Sequence, residues 1–437
     1  MSKDTREIWQ LAWPIMVGIT THMLFHLVDL YWIGFLGKAA LAGVAAAGAL
    51  VMFLWTGTRI ANTGGIAVIS QALGRDDKIE LRKGAADTII TGAILGVIVF
   101  VLIYSKLESV VAFFKLEPVA YKAALAYLRV SLLGIPLLYL LEGSVAYVIG
   151  VGQTRVLMYI GVVCNLVNLI VDPLLMFGYG PIPAFGLQGA AWASLLSSIL
   201  LFVLVVGWQA KNAGLQMGDF ALRIKGVKTI LTIGLPAAAR DLSRPLVAMV
   251  VMRLVAQFGS ATVAAYGISS RIMGIVIIYI IGLSVALNQM TGKRIGEGRV
   301  HTVEEILKTG GRIGFAVHAV VATILICLAN PILSLFDGTG SVVAAGVPIV
   351  RVFSVMMVFP LIVRVMGAAF SGSGNTKPLM FSSVSAHWLI QFPLALAAVT
   401  YWGNPLGVWL AIFIARAMEA AFLWAFYRTY QWQKSAV

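Results

Sequence analysis

The chain has 437 residues, of which 60% are hydrophobic and only 11% are charged, and its formal net charge is +14. Soluble globular proteins carry about 25% charged residues, so this composition excludes a soluble globular protein and indicates a polytopic membrane protein. The apolar runs are continuous rather than alternating, which excludes a transmembrane β-barrel.

Twelve apolar segments are long enough to cross a bilayer as helices. The polar N-terminal sequence MSKDTREIWQ leads directly into the first of them, so we expect no cleavable signal peptide. The sequence therefore predicts an all-α integral membrane protein. The twelve transmembrane helices are placed near residues 8–36, 40–73, 84–106, 119–149, 156–179, 186–210, 227–258, 262–292, 305–330, 341–371, 378–401 and 405–431.

The basic residues of the loops are distributed unevenly between the two sides of the membrane. Most of them lie on the side that holds both termini, and the positive-inside rule places that side in the cytoplasm. We therefore expect a multi-pass protein of the cytoplasmic (inner) membrane with both termini cytoplasmic. Because the basic charge reports this topology, we expect no nucleic-acid partner. The basic residues of the opposite side are few: Lys38, Lys106, Lys115 and Lys122.

The two cysteines, Cys164 and Cys327, lie in apolar segments of different halves of the chain. Their spacing fits neither a disulfide framework nor a metal site. We expect two buried free thiols and no structural metal.

The sequence repeats itself with a constant offset of 222 residues. Pro14 corresponds to Pro236, Gly37 corresponds to Gly259, and the motif GVGQTR (150–155) corresponds to GSGNTK (372–377). Each copy holds six segments, so the two copies have the same orientation, and their pseudo-two-fold axis should run along the membrane normal. We predict an N-lobe over residues 1–215 with helices 1–6 and a C-lobe over residues 216–437 with helices 7–12.

The duplication favours a transporter. Two six-helix bundles that face each other enclose a central cavity, and rocking of such bundles is the physical basis of alternating access. A duplicated scaffold and an integral membrane enzyme are the alternatives. The sequence contains no nucleophile elbow, HExxH motif or glycine-rich phosphate loop after a strand, so we expect no enzymatic activity and no cofactor.

Acidic residues within two apolar segments indicate a cation site. Asp29 lies in the stretch HLVDLYWIG of the first segment, and Asn168 and Asp172 lie in NLVNLIVDP of the fifth. Asn168 and Asp172 are four residues apart and share one helix face. The two aspartates fall at similar depth, on the external side of the centre. Pro173 frees a backbone carbonyl in the preceding turn, which adds a further oxygen ligand.

Two carboxylates in a low-dielectric bundle cannot both ionise cheaply. The pair of Asp29 and Asp172 can therefore load and release a proton, or bind Na⁺ through oxygen ligands. In the alternative interpretation, Asp29 pairs with Arg59 or with a tyrosine as a buried polar clamp.

His22, His26 and Asp29 are spaced i, i+4 and i+7, which places them on one helix face. The histidines can pack through hydrogen bonds, relay protons to Asp29 or hold a metal. The metal interpretation lacks further His or Cys ligands nearby in the sequence.

Arginines accumulate in the second half of the chain. Glu142 and Arg364 occupy equivalent repeat positions, and they form either a gating ion pair across the pseudo-axis or two separate local pairs. In the seventh segment, Asp241 and Arg244 are three residues apart and can neutralise each other. Arg240 then either faces the cavity and attracts an anionic group or belongs to a packed ion cluster.

The chain resembles the multidrug and toxic compound extrusion (MATE) family over nearly its whole length, and it looks most like the prokaryotic DinF-type branch. The resemblance implies twelve helices in two lobes and export driven by an inward H⁺ or Na⁺ gradient. It is carried in the first half by WPIMVG, VDLYWIGFLGKAALAGV, ISQALGRDD, GVGQTR and NLVNLIVDPLLMFG with GLQGAAWAS, and in the second half by AYGISSRIMGIVIIYIIGLSVALNQMTGKRIGEGR and SGSGNTK.

The resemblance also implies which residues couple transport to the cation. In that branch the site combines an Asp of the first helix, an Asn-x-x-x-Asp pair of the fifth, a hydroxyl residue of the sixth and a nearby tyrosine. A proline bends the first helix, and Pro14 matches it. The second lobe has Val251 at the repeat position of the first-helix acid, so the resemblance places the site in the N-lobe. The matching coupling residues are Asp29, Asn168, Asp172, Ser194 and Tyr127.

These observations predict a secondary active multidrug exporter, a monomer that exchanges H⁺ or Na⁺ for amphipathic organic compounds by alternating access. An apolar pocket rich in methionine and aromatic residues accepts many such compounds. The arginine-rich second half motivates an alternative, a flippase or exporter of a lipid-linked or anionic amphiphile. The candidate residues of the substrate cavity and its gate are His26, Glu142, Arg240, Asp241 and Arg364.

Overall fold

The computed structural model of the protein describes residues 2–336 and 340–434. This part of the chain is all-α apart from one isolated β-bridge between Tyr179 and Ile182. The twelve long helices are α1 (Lys3–Gly34), α2 (Lys38–Gly74), α3 (Lys78–Tyr104), α4 (Pro118–Gly150), α5 (Thr154–Phe177), α6 (Leu187–Ala213), α7 (Ile224–Val255), α8 (Ser260–Gly296), α9 (Val300–Ser334), α10 (Ser341–Ser373), α11 (Lys377–Trp402) and α12 (Pro405–Arg428).

The predicted segments and the observed helices agree within a few residues. The largest difference is at α3, which begins at Lys78 rather than at residue 84, because Asp77 caps it by accepting hydrogen bonds from the backbone N–H groups of Ile79 and Glu80. Within the described ranges, eleven of the helices are long and apolar enough to cross a membrane. The twelfth, α7, carries Arg240 and its charged neighbours at mid-length.

Two of the helices depart from regular α-helical geometry. α2 is interrupted at Gly57, where the Tyr139 hydroxyl of α4 donates to the carbonyl oxygen of Leu54 at 2.8 Å. A Cβ on Gly57 would lie 2.1 Å from that hydroxyl, so only glycine leaves room for it. α11 contains π-helical turns at Ser385–Gln391 and Ala398–Trp402, a geometry that is frequent at functional sites.

The chain packs as two compact units whose boundaries lie inside helices. The N-unit is Pro14–Ala238, and the C-unit combines Met1–Trp13 with Ala239–Val437. The predicted lobes, 1–215 and 216–437, were divided in the loop between the sixth and seventh helices. The two divisions differ because the start of α1 packs with the C-unit and the start of α7 packs with the N-unit.

Close backbone contact joins the start of α7 to α2 within the N-unit. A Cβ on Gly234 would lie 2.0 Å from the carbonyl oxygen of Ile60, and a Cβ on Gly64 would lie 2.6 Å from the carbonyl oxygen of Ile230. Small residues let two helices approach to backbone distance. The positions 222 residues away, Ala12 and Ala286, are also small and are buried in the C-unit, so both copies of the repeat use small residues here.

Ion pairs also hold the starts of α1 and α7 in their units. In the C-unit, Asp4 near the start of α1 lies 3.1 Å from Arg294 at the end of α8. In the N-unit, Arg223, which directly precedes α7, donates to the buried carboxylate of Asp87 in α3 at 3.1 Å. Hydrogen bonding to Asp87 raises the pKa of the Arg223 guanidinium further above its usual range, so this guanidinium stays charged at any physiological pH.

The two cysteines are free thiols in different surroundings. Cys164 is buried, as predicted. Cys327 is exposed on α9, so the prediction that it is buried was wrong. An apolar neighbourhood in the sequence does not distinguish the outer surface of a membrane helix from its packed face.

We expect the Gly234→Ala substitution to destabilise the protein by about 1–3 kcal/mol, because the added methyl group overlaps the Ile60 carbonyl and pushes α7 away from α2. The apparent melting temperature in detergent measures the change. The matched control is Gly207→Ala on α6, where nothing lies within 4 Å of the new Cβ. This control should gain about 0.5–1 kcal/mol from helix propensity. Equal melting temperatures for the two variants would contradict the proposed close contact.

Candidate functional site

The N-unit buries the three polar residues that the sequence singled out on α1 and α5. Asp29 is 7% exposed, and Asn168 and Asp172 are each 1% exposed. Asn168 and Asp172 share one face of α5, and Pro173 follows them within the helix. Because proline has no N–H, the carbonyl oxygen of Leu169 loses the backbone donor that it would otherwise receive. The helix thus supplies a loosened turn beside two buried side chains.

The carboxyl groups of Asp29 and Asp172 are neighbours, close enough to interact directly. Two ionised carboxylates bring no donor between them, so this contact becomes a hydrogen bond only when one of them carries a proton. In the described part of the chain, Oδ1 of Asp29, both carboxylate oxygens of Asp172 and both polar atoms of Asn168 are buried and have no hydrogen-bond partner. Buried polar groups of this kind need a proton, water or a cation to complete them.

Tyr127 of α4 lies beside the two carboxylates, with Ser131 as a hydroxyl neighbour. The same tyrosine packs against an apolar cluster formed by α1, α2, α5 and α6. Ile33 and Met176 of this cluster each lie one helical turn beyond a carboxylate, so the cluster closes the site toward the α1–α2 loop. This apolar wall keeps the local dielectric constant low and strengthens every electrostatic interaction inside.

The histidines of α1 extend the polar face away from this wall. His26 lies within electrostatic range of Asp29, and its Nε2 atom is 3.2 Å from Nε2 of His22. The two imidazoles therefore form a hydrogen-bonded pair next to the carboxylates. Among the residues that the structure describes, no group of three or more His, Cys, Asp or Glu side chains has a geometry that holds a metal ion.

Arg59 does not form the alternative clamp with Asp29. Its guanidinium lies 5.3 Å from the centre of the Trp55 ring and is within electrostatic range of Glu142. Glu142 accepts a hydrogen bond from the side-chain amide of Asn62 at 2.9 Å. Its repeat counterpart, Arg364, lies 3.9 Å from Asp241 in the C-unit. Each member of the equivalent pair thus has a local partner, and a gating role for the pair stays a prediction.

The roles of Ser194 at the cation site and of Pro14 in helix bending stay predictions. The contact described for Ser194 of α6 is the hydrogen bond that its carbonyl oxygen accepts from Ser198 at 2.8 Å, so the place of its hydroxyl at the cation site is untested. Pro14 lies inside the continuous helix α1 and is the first residue of the N-unit, which is where a bend would separate the two parts of the helix.

The C-unit contains a second buried polar group, which has the opposite charge. Asp241 pairs with Arg240 at 2.9 Å and with Arg364 at 3.9 Å. Arg244 donates to Glu419 at 3.2 Å and also lies within electrostatic range of Asp241, so the predicted mutual neutralisation of Asp241 and Arg244 holds only in part, with Glu419 as an additional partner of Arg244. A partner on another helix is thus added to the one expected three residues away on α7.

Glu419 is the centre of a network that the sequence did not reveal as a group. Arg416, three residues earlier on α12, donates to it at 3.1 Å and also contacts Nε2 of His387 at 2.9 Å. Because arginine only donates, Nε2 of His387 is the acceptor, and the neutral ring carries its proton on Nδ1. Nδ1 then donates to the Ser243 hydroxyl at 2.9 Å. The charged residues within apolar segments were visible in the sequence, but their partners were not.

We expect Glu419→Gln to destabilise the protein by about 3–5 kcal/mol, because it leaves two buried guanidiniums without their shared carboxylate. The matched control is Glu108→Gln, which removes an exposed partner of Arg129 and should cost about 0–1 kcal/mol. Apparent melting temperatures in detergent compare the two variants. If Glu419→Gln and the control have the same melting temperature, the stability of the network does not depend on its carboxylate.

Comparison with known proteins identifies the family. The chain is 24% identical to the Thermotoga maritima protein named "Probable multidrug resistance protein NorM", over 99% of this chain and 94% of the relative. It is 25% identical to a "FAD transporter" of Shewanella oneidensis, over 76% of this chain and 74% of the relative. A solved MOP superfamily transporter from Pyrococcus furiosus, described with a binding pocket of reverse polarity, superposes with a TM-score of 0.90 at 23% identity. That superposition covers 98% of this chain and 96% of the other. The sequence profile of the MatE family matches residues 14–174 and again residues 236–397, so the chain belongs to the MatE family of transporters, which are not enzymes, and has its fold of twelve membrane helices.

Proposed function

We propose that the protein is a secondary active exporter that exchanges H⁺ or Na⁺ for amphipathic organic compounds by alternating access. The observation that carries the proposal is the buried contact between the carboxyl groups of Asp29 and Asp172, with the unpartnered side chain of Asn168 beside it. Ionisable residues inside a membrane bundle mark ion and substrate pathways. The relative from Thermotoga maritima, named as a multidrug resistance protein, supports the same class of substrate.

The site suits a cation because it offers oxygen atoms and excess negative charge. A single proton turns the carboxyl contact into a hydrogen bond and removes one charge. A sodium ion can be held by oxygens of Asp29, Asp172 and Asn168 and by the carbonyl that Pro173 frees. Either cation neutralises a buried charge pair that is costly when both groups are ionised.

Loading of this site can drive the conformational change through α1. Asp29 and Pro14 lie on the same helix, and Pro14 is the first residue that packs with the N-unit. When the carboxyl pair loses charge, the segment after Pro14 bends into the N-unit and expels the substrate. Release of the cation restores the straight helix and the affinity for substrate.

The proposed setting is the cytoplasmic membrane, with both termini in the cytoplasm and one chain as the functional unit. The loop lysines and arginines support this orientation through the positive-inside rule. The ion gradient across that membrane is the energy source that the site requires.

A second candidate function, export or flipping of an anionic or lipid-linked amphiphile, is favoured by the buried arginines of the C-unit. The FAD transporter of Shewanella oneidensis shows by its name that a relative moves a compound with phosphate groups. The two candidates share the cation site and differ in the charge of the cargo.

We expect Asp172→Asn to abolish substrate efflux from proteoliposomes, because an amide cannot gain and lose a proton or contribute carboxylate charge to a bound cation. Efflux is measured under separately imposed H⁺ and Na⁺ gradients. The control is Asp76→Asn, an exposed loop carboxylate with φ +54°, a backbone conformation that asparagine tolerates. The control should transport at the wild-type rate. Full transport by Asp172→Asn under either gradient would end the proposal of carboxylate coupling.

We expect Pro14→Ala to slow transport while it leaves equilibrium binding of substrate in detergent unchanged. Alanine restores the backbone hydrogen bond that proline removes and so stiffens α1 at the unit boundary. The control is Pro118→Ala in the first turn of α4, where the missing N–H has no helical partner in any case. A Pro14→Ala protein that transports as fast as this control would show that bending at residue 14 is not part of the cycle.

A further inference from the structure

The C-unit holds a cluster of buried charges that the cation mechanism does not use. We call the residues Arg240, Asp241, Arg244, Arg364, Arg416 and Glu419, with His387, the arginine cluster. It is built from two triads, in each of which two guanidiniums share one carboxylate. Arg240 and Arg364 share Asp241, and Arg244 and Arg416 share Glu419.

The cluster carries a surplus of two positive charges. Four guanidiniums face two carboxylates, and His387 adds no charge because its Nε2 accepts a hydrogen bond from Arg416. The triads are neighbours, since Arg244 lies within electrostatic range of Asp241 and of Arg416. The surplus is therefore concentrated at one place rather than spread over the unit.

The guanidiniums that carry this surplus are mostly buried but keep some exposed surface. The side chain of Arg240 is 8% exposed, and those of Arg244, Arg364 and Arg416 are 17–19% exposed. A buried charge without a counter-charge costs several kcal/mol. This electrostatic cost falls when a ligand with about two negative charges contacts the guanidiniums at the part of their surface that is still exposed.

The donor chemistry selects the ligand. Guanidinium groups bind planar or tetrahedral oxyanions through paired N–H donors, and they hold phosphate and carboxylate better than a lysine does. The Nε donor of Arg244 is buried and has no hydrogen-bond partner within the described ranges. The guanidiniums come from three helices, α7, α10 and α12, so they can surround one group.

We propose that the arginine cluster is the binding site for a phosphate group of the transported compound. A phosphate monoester carries about −1.5 to −2 charge at pH 7 and three acceptor oxygens, which matches the surplus of two. The proposal rests on the proposed transport function only in taking the ligand as cargo. The phosphate belongs either to a water-soluble organic compound or to a lipid headgroup, and the test separates these sources.

Riboflavin and its 5′-phosphate, FMN, are a matched pair of probes, because they share the isoalloxazine ring and differ by one phosphate. Binding is measured by flavin fluorescence with the full-length protein in phosphatidylcholine nanodiscs. We expect FMN to bind about ten-fold or more tightly than riboflavin, the difference that one charge-assisted group contributes. Equal affinities for the two flavins would overturn the proposal.

The variant Arg244→Gln tests the location of the site. It removes one surplus positive charge and leaves Glu419 paired with Arg416. Without ligand, its melting temperature should therefore be no lower than that of the wild type. The Arg244→Gln protein should bind riboflavin with the wild-type affinity, and it should bind FMN no more tightly than riboflavin. Arg364→Gln repeats the test on the other triad. The control is Arg351→Gln, an exposed arginine of α10 that should keep the preference for FMN. If Arg244→Gln and Arg364→Gln both keep that preference, the cluster is not the site.

Competition identifies the source of the phosphate. Displacement of FMN by inorganic phosphate but not by phosphatidic acid in the nanodisc supports a soluble cargo, and displacement by phosphatidic acid supports a lipid headgroup. Displacement by neither overturns the proposal. Because binding at equilibrium needs no ion gradient, these results are independent of the Asp172→Asn experiment. Cation coupling can therefore fail while the phosphate site holds, and the reverse is also true.

Discussion

The structure depends on one constraint, that a charge inside a membrane bundle needs a partner of the opposite charge or a proton. The N-unit meets it incompletely at Asp29 and Asp172, where two acids face each other and several polar atoms have no partner in the described chain. We therefore propose that this pair is a loading site, because binding of a proton or a cation relieves the cost of two buried acids. Full pairing with a guanidinium would have removed that property, and Arg59 instead lies near Glu142.

The two copies of the repeat use the same framework for opposite electrostatics. The position of Asp29 is occupied in the second copy by Val251, which is fully buried. The positions of His22 and Glu142 are occupied by Arg244 and Arg364. These three differences contribute to the change from an acidic interior in the first copy to a basic one in the second. On this division we base the proposal of a cation site in one unit and an anion site in the other.

Much of the fold could be predicted from the sequence, because span length and repeat register are local properties. Apolar runs set the ends of helices such as α5 and α10 within a few residues, and helical spacing alone placed Asn168 and Asp172 on one face. The partners of Asp241 and Glu419 on other helices could not be predicted, since they depend on the rotation of three helices about their axes. The exposed face of Cys327 was missed for the same reason.

The boundaries of the N-unit and the C-unit were also not predicted from the sequence. They are the feature of the fold that bears most directly on the proposed mechanism. The loop between the lobes looked like the natural division, but glycine contacts place the start of α7 in the N-unit, and the Asp4–Arg294 pair places the start of α1 in the C-unit. Each crossing helix passes from one unit to the other near a proline, Pro14 in α1 and Pro236 in α7. Beyond its proline, each helix carries the charged residues of its own unit. In the proposed mechanism, a change of charge at either site acts on a helix that belongs to both units, so we expect α1 and α7 to change shape when cation binding moves the cargo.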